Sequence, residues 1–182
     1  VGIEEVAELG FSSEHDTLVQ YASYLRNLVD LSKIRPLKIV IDAANGMGGL
    51  TAPAVLGTAA KLGPLPIEII EMYFQLDGSF PNHEANPLDP KNLVDLQRAV
   101  LDNGADAGLA FDGDADRCFV IDEKGQPVTP SAVAAIVSLS EIARAKSRGE
   151  KNITVLHNLL TSRAVAEFIE AAGATPIRTR VG

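Results

Sequence analysis

Residues 105–128, ADAGLAFDGDADRCFVIDEKGQPV, carry the pattern on which the reading of the whole chain turns. ADAGLAF (105–111) reads as a short strand and CFVID (118–122) as a second. A Glu-Lys-Gly turn then leads into a third. Between the first two strands stands DGDADR (112–117), with an aspartate at every second position and an arginine directly after them. Glycine and alanine between the acids let the backbone curl until Asp112, Asp114 and Asp116 converge. Three uncompensated carboxylates that close would repel by several kcal/mol, on the order expected for a partly buried site. A hard divalent cation removes that cost, and all-oxygen ligation favours Mg²⁺, Mn²⁺ or Ca²⁺ over zinc. The Arg117 guanidinium satisfies about one carboxylate and cannot replace the metal. It can reach an anion bound on the metal's far side.

Two other readings of the loop compete. One is a solvated acidic turn. The other is an EF-hand calcium loop, since positions 1, 3 and 5 counted from Asp112 are aspartate and position 12 is Glu123. Position 6, which needs glycine, is Arg117, and the flanks read as strands rather than helices. A Mg²⁺ site at the carboxyl end of a strand, where open α/β sheets place their ligands, accounts for more of the pattern.

Outward from this stretch, strands and helices alternate. Residues 14–32 predict an amphipathic helix with Leu18, Tyr21, Leu25, Leu28 and Val29 on one face, and Ser12-Ser13-Glu14-His15 reads as its N-cap. LKIVID (37–42) predicts a buried strand running into the glycine-rich turn AANGMGG. A helix over 50–62, a strand over 66–74, a turn-rich loop over 75–90 and a helix over 91–102 follow. Beyond the aspartate loop, Pro130 opens a long helix (131–148), and SRGEKN (147–152) is a polar linker. The pattern then restarts as strand (153–157), helix (161–172) and strand (175–179). Such alternation predicts an α/β layered fold: a mixed, mostly parallel sheet with helices on both faces, plus a partial second α/β unit.

Composition narrows the function. The 182 residues are 46% hydrophobic and carry a formal net charge of −8, so no broad basic surface serves nucleic acid or anionic lipid. No apolar run near membrane-spanning length and no signal peptide stand in the sequence. The single cysteine, Cys118, excludes an internal disulfide framework and fits a reducing, cytoplasmic setting.

Four stretches together resemble the α-D-phosphohexomutases, the phosphomannomutase/phosphoglucomutase family. DGDADR (112–117) resembles the family's D-G-D-x-D-R metal loop. IVIDAANGMGG (39–49) resembles the strand and turn that open its second domain. GSFPNHEANPLDP (78–90) resembles its F-P-x-H-x-P-x-P loop, with extra residues between His83 and Asp89. NLLTSRAVAEFIEAAGATPIRTRVG (158–182) resembles the start of its third domain. The resemblance implies a division into 1–13 (tail of a preceding domain or linker), 14–130 (domain 2 with the metal loop), 131–150 (connecting helix) and 151–182 (start of domain 3).

It also implies an isomerase of carbohydrate metabolism. Such an enzyme transfers phosphoryl between the 1- and 6-positions of a hexose phosphate through an active-site phosphoserine, with Mg²⁺ as cofactor. Asp112, Asp114 and Asp116 would hold the Mg²⁺ and Arg117 would contact phosphate. Arg180 and Gly182 are the substrate-binding candidates, although Arg178 and Arg180, alternating on the last strand, also suit plain surface charge. Asn82 and His83 order the proline-rich loop behind the site. The T-A-S-H-N-P serine loop and the G-E-x-S-G-H sugar-reading stretch occur nowhere in the sequence, and Leu160 stands where some members have a basic residue. The expectation is an internal piece of a larger enzyme, leaning to phosphomannomutase and inactive alone. The alternatives are a non-catalytic divalent-metal-binding α/β module and a haloacid-dehalogenase-type phosphatase.

Overall fold

The computed structural model describes residues 10–181. Strand β1 (Leu37–Asp42) is its axis, and Ile39, Val40, Ile41 and Asp42 are all buried, as befits a strand covered on both faces. It pairs in parallel with β2 (Ile67–Met72) on one side and with β3 (Ala107–Phe111) on the other. β3 turns through the aspartate loop into antiparallel β4 (Cys118–Asp122), and β4 pairs with the two-residue β5 (Pro127–Val128). The sheet order is β2-β1-β3-β4-β5, parallel at the centre and antiparallel at one edge.

The helices are α1 (Leu18–Leu28), α2 (Gly48–Val55), α3 (Val94–Asn103), α4 (Pro130–Ser147) and α5 (Arg163–Ala171). On one face of the sheet, Val40, Ala110 and Ile121 pack against Leu96 and Val100 of α3. A Cβ on Gly108 would lie 2.7 Å from Val100, so α3 seats this closely only because Gly108 has no side chain. α2 lies on the opposite face, with Gly48 against the Phe111 ring. Beyond β5, a second parallel sheet forms from β6 (Thr154–Asn158) and β7 (Thr175–Thr179). Ala135 and Ile142 of α4 close on Val165 and Ile169 of α5 and on Val155 of β6. No helix among the described residues is long and apolar enough to cross a membrane.

The helix expected over 91–102 opens with a 3-10 turn over Pro90–Leu93, and two other helices depart further from the sequence expectation. α1 starts at Leu18 rather than at residue 14, and its first N–H is taken by Asp16, not by the Ser12-Ser13 cluster. Its inner seam runs through Leu18, Ala22 and Leu25, while Tyr21, Leu28 and Val29 are exposed. Ala22 meets Ala54 and Ala60, so a small residue rather than a large one sets the approach to α2. α2 in turn ends at Val55 rather than at 62. The Arg26 guanidinium explains that stop. It donates to the carbonyls of Val55, Gly57 and Gly63, and a continued helix would need the first two for the N–H groups of residues 59 and 61. The Ala59 N–H turns back to Pro53 instead.

The long loop over 75–90 is fastened to β1 by a pair the sequence does not announce. His83 Nε2 lies 2.9 Å from Asp42 Oδ2, and Nδ1 lies 2.9 Å from the Glu84 carbonyl. A carbonyl only accepts, so Nδ1 carries a hydrogen, and one further proton lies between Nε2 and the carboxylate. Burial pushes the Asp42 carboxyl up, against the Ala44 N–H and the His83 charge. Burial works to lower His83, but the Glu84 carbonyl and the Asp42 and Asp95 charges overcome it and raise the imidazole. The Tyr73 ring stands edge-on to His83, with its hydroxyl on Asp95.

Both shifts make the folded chain hold protons that the unfolded chain releases, so stability falls as pH rises. The His83 contribution is complete below its unfolded value of about 6.5 and is lost as pH climbs through its raised folded value. Asp42 acts in the same direction from lower pH. The urea midpoint is therefore expected to drop above about pH 6.5 in the unsubstituted chain, and that drop to flatten in His83→Gln. Arg26→Ala is expected to lower the unfolding free energy by about 1.5–3 kcal/mol, measured by urea denaturation at constant pH.

Candidate metal centre

The carboxyl end of β3 delivers Asp112 one residue past the strand, and β4 starts at Cys118, so the six-residue loop is a hairpin connection. The flanks are strands, which disposes of the EF-hand reading. The Asp112 carbonyl accepts from Ala115 N–H at 3.1 Å, and Ala115 takes a left-handed φ of 61° to make that turn. Asp112 is 1% exposed, whereas Asp114 and Asp116 stand in solvent. One carboxylate oxygen from each lies within 4.8 Å of the others. The loop thus rests on a buried acid and presents two exposed ones beside it.

Arg117 answers part of this charge. Its Nε donates to Asp112 Oδ2 at 2.6 Å and lies 3.4 Å from Asp116 Oδ1, and its backbone N–H donates to Asp112 Oδ1 at 3.1 Å. Burial works to raise the Asp112 carboxyl, but the bonds from Arg117 outweigh it and hold the group below the usual carboxylate range. Asp116 moves the other way. Its contact with the Asp112 carboxylate, and then the Asp114 charge, push it up. One guanidinium therefore neutralises one acid and leaves the others crowded. Both Nη groups of Arg117 have no hydrogen-bond partner among the described residues.

The turn after β1 lies directly against the loop. Met47 N–H donates to the Gly113 carbonyl at 2.9 Å, and a Cβ on Gly46 would fall 2.5 Å from that same oxygen. Asn45, 5% exposed, donates from Nδ2 to the Gln75 carbonyl at 2.8 Å and accepts from Asn82 Nδ2 at 2.7 Å. Of the seven non-glycine residues with positive φ among the described residues, four (Ala44, Asn45, Phe80 and Ala115) sit in these segments and a fifth, Tyr73, directly follows β2. Each costs about 1–3 kcal/mol and persists only where its surroundings enforce it.

The structure thus brings Asp112, Asp114, Asp116 and Arg117 together, with Asn82 behind them and His83 on Asp42. Arg180 lies exposed beyond β7 and makes no hydrogen bond or ion pair to the loop, and Gly182 is outside the described residues. Sequence reasoning missed Asp42; an acid closing the apolar run of β1 was the available signal.

The donor set suits a metal ion. It consists of carboxylate oxygens alone, the type that hard cations take at roughly 2.0–2.6 Å. No thiol or imidazole stands among them, and the neighbouring thiol, Cys118, is not one of the three converging groups. Asp112 keeps lone pairs for a cation, because each oxygen of the carboxylate can accept more than one bond.

Known proteins match this arrangement. Residues 19–125 fit the family model described as phosphoglucomutase/phosphomannomutase, alpha/beta/alpha domain II. Phosphomannomutase of Escherichia coli is 36% identical over 162 residues, which cover 89% of this chain and 34% of that protein. Phosphomannomutase/phosphoglucomutase of Pseudomonas aeruginosa is 29% identical over 174 residues, covering 96% of this chain and 35% of the relative. The crystal structure of a phosphoglucomutase/phosphomannomutase family protein from Burkholderia thailandensis aligns with a TM-score of 0.81 at 28% identity, covering 93% of this chain and 34% of that one. The chain spans about a third of the length of these relatives. A family match that takes in β1 to β4 and the whole aspartate loop leaves no place for the dehalogenase alternative. The chain belongs to the phosphoglucomutase/phosphomannomutase family.

Proposed function

We propose that this chain is the metal-holding part of a phosphohexomutase, an intramolecular phosphotransferase that moves phosphoryl between the 1- and 6-positions of a hexose phosphate. The observation that carries the reading is the aspartate loop itself: three carboxylate oxygens within 4.8 Å in a chain of this family. Asp112, Asp114 and Asp116 would hold Mg²⁺, which when bound withdraws charge from phosphoryl oxygens and fixes their position. Arg117 has a double task. Its Nε orients Asp112, and its unpaired Nη groups are free to take a phosphate oxygen. Asp112, buried and held ionised by Arg117, anchors the loop, while exposed Asp114 and Asp116 supply the accessible face.

The phosphorylated serine of the reaction belongs to a loop that this sequence does not contain, so the chain alone binds metal without turning over substrate. The domain reading goes with this: residues 14–130 act as domain 2, 131–150 connect, and 151–182 begin domain 3, with Arg180 and Gly182 as the substrate-binding candidates. Mannose and glucose phosphates are both within the class.

Calorimetric titration with Mg²⁺ is expected to give one site, weakened at least tenfold in Asp114→Asn. That exposed substitution should leave the unfolding free energy, from urea denaturation, within about 0.5 kcal/mol of the parent. The chain should show no turnover of mannose 1-phosphate. Undiminished Mg²⁺ binding by Asp114→Asn, or turnover by the chain alone, would contradict the proposal.

A further inference from the structure

Gly113, the residue between the first two aspartates, is flanked on two sides. On one side the turn after β1 supplies Gly46, whose absent side chain lets its backbone approach Gly113, and Met47, whose N–H takes the Gly113 carbonyl at 2.9 Å. On the other side stand Phe80 and Ala85. A Cβ built on Gly113 would lie 3.4 Å from Phe80 Cζ and 3.7 Å from Ala85 Cβ, so these two side chains stand one methyl group away from the glycine. The two flanking segments are 37 residues apart in sequence, and Asn82 Nδ2 joins them at 2.7 Å to Asn45 Oδ1. Asn45 spends its own Nδ2 on the Gln75 carbonyl, further along the loop over 75–90. That amide pair joins the Asn82 end of the loop to the turn, beside the Asp77 N–H on the Asn45 carbonyl.

We infer that Asn82, through its amide bond to Asn45, is a positioning residue for the aspartate loop: it sets the width of the cleft that holds Gly113 and so the spacing of the Asp112 and Asp114 carboxylates. The inference rests on the metal reading above and extends it to a residue that touches none of the three acids. Ligand groups must be held within about 0.5 Å of productive geometry. Gly113 has no side chain of its own to resist a shift, so the two flanking segments supply that precision. Mg²⁺ is the more sensitive reporter, since it demands near-ideal octahedral geometry, whereas Ca²⁺ accepts irregular and longer ligation. A loosened brace must therefore penalise Mg²⁺ more than Ca²⁺.

The test is calorimetric titration of the full chain and of Asn82→Ala with Mg²⁺ and, separately, Ca²⁺, with far-UV circular dichroism to confirm folding. Asn82 is an exposed residue, so the variant is expected to fold. Mg²⁺ affinity should fall about 10–100-fold and Ca²⁺ affinity by less, moving the Mg²⁺-to-Ca²⁺ ratio. A purely structural asparagine would lower the urea midpoint and leave that ratio alone. Asn45→Asp keeps an oxygen for Asn82 and should retain more Mg²⁺ affinity than Asn82→Ala. Unchanged Mg²⁺ affinity and ratio in Asn82→Ala overturn the brace while leaving the metal site intact. Absence of Mg²⁺ and Ca²⁺ binding in the unsubstituted chain overturns the metal reading and the brace together.

Discussion

The bond between Arg117 Nε and buried Asp112 is the constraint around which the rest of the site is arranged. A carboxylate that is 1% exposed is costly unless it is paired and hydrogen-bonded. Arg117 meets that demand twice, once from its side chain and once from its backbone N–H. In doing so it closes the hairpin between β3 and β4 and fixes where Asp114 and Asp116 must stand. The Nε edge of that guanidinium is then committed as a counter-charge. The raised Asp116 carboxyl records the crowding that remains.

The fold supplies the setting. Parallel β1 and β3 bring their carboxyl ends side by side, so the turn after β1 and the aspartate loop after β3 necessarily meet. Their contact is close enough that only glycine serves at 46, and the backbone there passes through two successive left-handed residues, Ala44 and Asn45. The loop over 75–90 covers this junction and is held by the Asp77 N–H on the Asn45 carbonyl and by two side-chain contacts, His83 on Asp42 and Asn82 on Asn45. Regular structure thus places the site coarsely, and a small set of polar bonds places it finely.

Legibility in the sequence follows sequence distance. The three aspartates and Arg117 occupy six consecutive residues, so their convergence could be read from spacing alone. The alternation of strands and helices likewise gave the mixed sheet, because β1 and β3 carry their burial in local apolar runs. What escaped was long-range. His83 and Asp42 are 41 residues apart, and nothing near either names the other. The early end of α2 depends on Arg26, a residue of another helix, and the α1 seam turned on Ala22 rather than on the larger Tyr21 because α2 presents small residues there. Arg117 was expected to face outward; its Nε is committed inward, and only its Nη groups remain for an anion.

Paramagnetic broadening by Mn²⁺, observed in amide proton–nitrogen spectra of the chain, tests the central claim most directly, because it maps the ion without assuming its ligands. A hard cation held by the aspartate loop should first erase the resonances of Gly113, Asp114, Ala115 and Asp116, then those of Gly46 and Met47 across the close contact, and excess Mg²⁺ should restore them all. Broadening centred elsewhere, or spread evenly over the acidic surface, would contradict a metal centre at the end of β3.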